Sequence, residues 1–184
     1  MKTNTKLSLI AFMAITFAVS SCKKDKKELP PVDENELITT IKLKFTNASN
    51  AADVKTFTWK DLDGQGGDGP VVDTIKLATN KIYNMEIAEV LNETATPVQN
   101  ITEEIEEEDY EHLLVYKPST NLLTVQISDK DKNNYPVGLM AVVNTNTAKN
   151  GTLQIILRHQ PGVKDGTEAP GSTDFDITYP VKIQ

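Results

Sequence analysis

One cysteine, two histidines and one tryptophan occur in 184 residues, and each scarcity removes a kind of chemistry. A single thiol cannot close a disulfide within the chain or build a tetrathiolate metal site. Neither a GxSxG elbow nor an HExxH motif is spelled anywhere, and the chain is expected not to be an enzyme. Basic side chains are also scarce: 19 Lys and Arg stand against 26 Asp and Glu, a net charge of −7. Without residues 1–21, which hold Lys2 and Lys6 and no acid, 17 basic groups face 26 acidic ones, or −9. Binding a polyanion exchanges its counterions for Lys and Arg, so nucleic acid is not an expected partner. A cation or a basic protein surface is permitted. Long apolar runs are missing too. Leu7 to Val19 (LSLIAFMAITFAV) has 13 uncharged residues, short of the roughly 20 that cross a bilayer as a helix.

That run follows two lysines and precedes small residues, the pattern of a secretory signal peptide. Its end, Val19-Ser20-Ser21-Cys22, resembles the bacterial lipobox, where small residues precede a cysteine that is acylated on sulfur and becomes the new N-terminus. The lone cysteine is thereby expected to carry lipid. Each buried methylene contributes about 0.8 kcal/mol, so one acyl chain holds weakly and two or more hold stably. The charged KKDKKE behind Cys22 cannot enter hydrocarbon, and Leu29-Pro30-Pro31-Val32 favours an extended spacer. Lys23, rather than Asp, after the cysteine resembles the sorting pattern for the outer membrane. The expected organisation is a lipoprotein signal peptide over 1–21, a lipidated flexible tether over 22–36 and one domain over 37–184. Either face of the outer membrane fits.

From Leu37 onward apolar residues recur with a period of two. Ile41, Leu43 and Phe45 alternate with polar residues, as do Phe57 and Trp59. Further runs of strand character are 71–77, 82–90, 111–117, 122–128, 138–143 and 152–159. Phe175, Ile177, Tyr179, Val181 and Ile183 fall on one face of the last. Turn chemistry stands at Asp63-Gly64, Asn133-Asn134, Asn150-Gly151 and Pro161-Gly162. About nine antiparallel strands at this spacing predict an all-β fold, an immunoglobulin-like sandwich first and a closed barrel second. Pro180 cannot donate to a ladder, which predicts an edge or a bulge in the final strand. Asn100 to Glu111 (NITEEIEEEDYE) breaks the alternation: Asn100 and Glu103 have capping-box spacing, and Ile101 and Ile105 share one side. A short acidic helix or ordered loop is expected near 100–109.

Three stretches carry candidate sites. The loop from Asp61 to Pro70 spells GxGxxG with Gly64, Gly66 and Gly69, but a β-branched strand follows where a dinucleotide loop needs a helix N-terminus. Asp61, Asp63, Gln65 and Asp68 in the same loop suit calcium, although Val72 stands where an EF-hand has its bidentate Glu. A polar hairpin loop is the simpler account of them, since Asp and Gly are common in turns. Glu103, Glu104, Glu106, Glu107, Glu108, Asp109 and Glu111 form an acidic cluster beside His112. It reads as a surface for a cation or basic partner with His112 as a transition-metal ligand, or as a solvated face. His159 closes the face of Leu153, Ile155 and Leu157, and two histidines of unknown separation do not make a zinc site. Asp73-Thr74-Ile75 resembles a short O-glycosylation triplet of exported Bacteroidota proteins.

The stretches TFTWKDLDGQGGDGPVVDTIKLA, YNMEIAEVLNETATP, ITEEIEEEDYEHLLVYKP and LRHQPGVKDGTEAPGSTDFDITYPVKI resemble a group of small secreted Bacteroidota lipoproteins. The resemblance covers nearly all of the domain. The group often carries the label "type 1 periplasmic binding fold superfamily", which names two α/β lobes, whereas these residues spell strands. Its members look similar to accessory lipoproteins of TonB-dependent outer-membrane receptors. The expectation is a lipid-anchored envelope binding protein, partnered through its acyl chains with the membrane and through its domain with such a receptor. No cofactor is expected unless calcium occupies the Asp/Gly loop. A structural or adhesive envelope domain is the alternative.

Overall fold

A computed structural model describes residues 37–64 and 67–184. The expected signal peptide, the expected tether with Cys22, and Gln65 lie outside the described residues. In chain order the elements are β1 (Thr40–Asn47), β2 (Asn50–Lys60), β3 (Val71–Val72), β4 (Ile75–Leu77), β5 (Ile82–Asn92) and β6 (Gln99–Asn100). Then follow α1 (Ile101–Glu107), β7 (His112–Pro118), β8 (Leu123–Ile127), β9 (Met140–Thr145), β10 (Lys149–His159) and β11 (Ser172–Ile183).

The alternation in β1 shows why these residues fold this way. Ile41, Leu43 and Phe45 are fully buried, while Lys42 and Lys44 point out and meet Glu89 and Glu86 of β5 at 2.5 and 2.9 Å. A one-residue slip would exchange those faces, so burial fixes the register. The first sheet runs β3-β2-β1-β5-β9-β8, with β6 beside β5, and the second runs β4-β11-β10-β7. All pairs are antiparallel apart from β4 and β11, which are parallel. The sheets form an all-β sandwich around one core, in which Phe45 meets Phe57 and Tyr83 edge-on. Tyr179 of the second sheet crosses that core, its hydroxyl donating to the Ile41 carbonyl of the first at 2.9 Å.

Several expectations are refined by these pairings. The run over 71–77 divides, because Val71–Val72 pairs with β2 whereas Ile75–Leu77 pairs with β11 in the other sheet. With the two-residue β6, this makes eleven strands among the described residues where about nine were expected. Gly64, Asn134 and Gly162 have positive φ, as their turn assignments require. Asn150-Gly151 is not a turn; both residues lie inside β10. Pro180 stands one residue before the β4 ladder begins, on the part of β11 paired only with β10, while the bulge lies elsewhere, at Asp174. α1 forms and buries Ile101 and Ile105, but Asn100 does not cap it. Its side-chain amide donates to Glu103 Oε1 instead. Thr102 holds the helix against β5, accepting from the Val90 N–H at 2.7 Å.

Candidate functional site

The core face of β10 reads Leu153, Ile155, Leu157 and ends in His159. In register beside His159 stands His112, the first residue of β7. The two imidazoles stack with centroids 4.8 Å apart and planes 8° from parallel. On the other flank the pairing jumps from Leu157–Phe175 to Arg158–Thr173, which leaves Asp174 as the extra residue of a bulge. Bulges re-aim side chains, and this one sets Asp174 with the histidines: one donor atom from each of His112, His159 and Asp174 lies within 4.8 Å of the others. Ile38, Ile101 and Glu104 help enclose the space between them, a cleft of about 20 Å³. That is room for one water molecule or one metal ion.

The protonation of His112 follows from its partners. The residue is 5% exposed, and Nδ1 lies 3.0 Å from the Glu108 carbonyl oxygen. A carbonyl only accepts, so Nδ1 carries the proton and neutral His112 has its lone pair on Nε2. Burial pushes its pKa down to about 4; the Glu108 hydrogen bond and the nearby Glu104 oppose the shift, while His159 and Lys164 reinforce it. His112 is therefore an uncharged imidazole at neutral pH.

The loop after β10 is fastened around this end. Gln160 is fully buried, donates its backbone N–H to the Glu111 carbonyl at 2.6 Å, and donates through Nε2 to the carbonyls of Thr167 and Pro170. Arg158 donates to Thr173 and to the carbonyls of Pro170 and Gly171. Gly171 has φ +79°, and a Cβ there would lie 2.0 Å from the His159 carbonyl oxygen, so only glycine lets the loop pass this close. Lys164 reaches the Asp109 carbonyl at 2.7 Å and forms a buried ion pair with Asp131 Oδ2 at 2.9 Å.

No protein family, curated protein or solved structure matches this chain. Function is thus read from its own side chains.

The acidic cluster divides into two parts. Glu103, Glu104, Glu106 and Glu107 are exposed on α1, a solvated face apart from Glu104 at the rim of the histidine cleft. Glu108, Asp109 and Glu111 are half-buried, and Glu108 and Glu111 form a second cluster with His159, whose Nε2 is 3.7 Å from Glu111 Oε2. The Asp/Gly loop behaves differently. Asp61 Oδ1 accepts the Gly64 N–H at 2.9 Å and Asp63 Oδ2 accepts the Asp68 N–H at 2.8 Å. The latter bond leads the effects that hold Asp63 below its ordinary carboxylate range. Among the described residues two groups bring three ligating side chains together, and neither contains Asp61, Asp63 or Asp68. In the glycosylation-like triplet, Asp73 accepts the Thr58 N–H at 2.8 Å and Ile75 is buried in the core. Sequence reasoning weighed each histidine separately and passed over Asp174, whose place depends on a bulge that alternation does not announce.

A wider groove of about 500 Å³ adjoins the cleft, between β2–β3 and β11. Trp59, Val72 and Phe175 supply its apolar surface, and Asp61, Asp174 and Asp176 its acids. Leu37 lines it, and Ile38 lines both groove and cleft.

Proposed function

We propose that the chain is a lipid-anchored binding protein of the cell envelope, an accessory to an outer-membrane receptor, and that it captures ligand at the end of the sandwich holding the groove and the histidine cleft. One observation carries this reading: Leu37 and Ile38, the first domain residues after the tether, line that groove. The binding end is then the end joined to the anchor. Fifteen residues, 22–36, link it to the lipid, a reach of about 50 Å when fully extended. A ligand held there stays at the membrane, where a receptor can take it. The acidic balance, the lipobox-like VSSC and the resemblance to receptor-associated lipoproteins support the same conclusion.

The experiment combines two labels in intact cells. An alkyne palmitate analogue marks the wild type and leaves Cys22→Ala unmarked; label on the variant overturns the anchor. A photo-crosslinking amino acid at Thr178, on the groove wall, recovers an outer-membrane receptor. A lipidated protein that recovers none overturns the accessory role and favours the structural or adhesive alternative.

A further inference from the structure

We propose that His112, His159 and Asp174 bind a divalent transition-metal ion of the zinc class. The donor chemistry selects it. Two imidazoles and one carboxylate suit zinc, nickel or copper, whereas calcium and magnesium require shells of oxygen. Zinc has no electronic preference for geometry and accepts three protein ligands with a fourth position left to water or an external ligand. Three features prepare the site. The Glu108 carbonyl fixes the His112 tautomer and leaves Nε2 bare, the outer-sphere arrangement that orients metal-binding histidines. Burial keeps that ring rigid, and the β7–β10 register holds the second ring against it. Glu104 at the rim adds negative charge that draws a cation inward.

The donors, within 4.8 Å of one another, are looser than a loaded site. Two ligands on a tetrahedral ion, with bonds of about 2.0 Å, stand about 3.3 Å apart. Binding therefore splays the stacked rings and draws His159 and Asp174 inward by up to about 1.5 Å, while buried His112 stays in place. His159 and Asp174 are half-buried and less enclosed than His112. This inference deepens the binding reading by naming the ligand class. Its test is separate: ion titration of the isolated protein needs neither lipid nor receptor, so either can fail alone.

The full chain, purified in detergent, is titrated calorimetrically with ZnCl2, NiCl2 and CaCl2, and cobalt is followed by its absorption bands. One zinc binds per chain, the unfolding midpoint rises with zinc concentration, cobalt shows tetrahedral bands, and calcium gives no heat. His159→Ala and Asp174→Asn each weaken zinc by more than about tenfold. Both sites are half-exposed, so the fold survives and thermal unfolding without metal confirms it. Glu111→Gln changes zinc affinity little. If Glu111→Gln abolishes binding and Asp174→Asn does not, the ion sits in the neighbouring Glu108–Glu111–His159 cluster and the assignment is overturned. Zinc binding that survives both His159→Ala and Asp174→Asn also overturns it.

Discussion

Lowering the pH from 7 to 4 should destabilise the fold chiefly through His112. In the unfolded chain its imidazole takes a proton near the ordinary value of 6.5, but in the folded protein burial holds the pKa at about 4. A depressed pKa means that the unfolded chain binds the extra proton between those values, so stability is full above about pH 6.5 and falls as pH drops toward 4. The sign is the reverse of a histidine stabilised by a carboxylate. Each pKa unit corresponds to about 1.36 kcal/mol, so the full loss approaches about 3 kcal/mol. The groups facing the ring are Glu104 of α1, the Glu108 carbonyl, His159 of β10, Asp174 of β11 and Lys164 of the following loop. The carboxylates Asp53, Asp63, Glu93, Asp131 and Asp165 are held below their ordinary range, so their contribution is present above that range and is lost at more acid pH, as pH falls through their folded values. Urea unfolding of wild type and His112→Gln at pH 7.5, 6.5, 5.5 and 4.5, with chelator present, reads the difference. The wild type loses stability across this window and the variant, which has no proton to gain there, stays nearly flat. Equal losses in both would falsify the assignment.

Tyr179→Phe removes the hydroxyl that joins the sheets through Ile41; one lost buried hydrogen bond costs about 1–2 kcal/mol, and an unchanged thermal midpoint would show that the bridge contributes nothing. Lys164→Met strands the buried Asp131 carboxylate, at a cost of about 3 kcal/mol, and adding Asp131→Asn recovers part of it. Strict additivity in that double-mutant cycle refutes the coupling. Calcium at millimolar concentration leaves the midpoint unmoved, because Asp61 and Asp63 already accept backbone N–H groups of their own turn. A calcium-dependent rise would mean that they re-aim.

Much of the fold is legible in the residues because period two is a local signal. β1, β5, β10 and β11 fall where alternation puts them, with the expected residues buried. The failures are places where a neighbouring strand decides. Asp73 and Thr74 look like the middle of one strand, yet they are the point where the chain passes from one sheet to the other. Asn150-Gly151 spells a turn and is drawn into β10, where Gly151 lets Ser119 and Leu122 approach closely. Asn100 spells a cap, but its amide goes to the Glu103 side chain.

The candidate site divides along the same line. Composition and local pattern determine the acidic balance, the cation-permitting surface, the solitary cysteine at a lipobox-like position and the inward face of each strand. These depend only on neighbours along the chain. That His112 and His159 stack is decided by the β7–β10 register, and that Asp174 joins them is decided by one bulge in β11. Alternation tells a side chain which face of its strand it occupies. It does not name the strand beside it, and a metal site, like a hydrogen-bonded ladder, is made between strands.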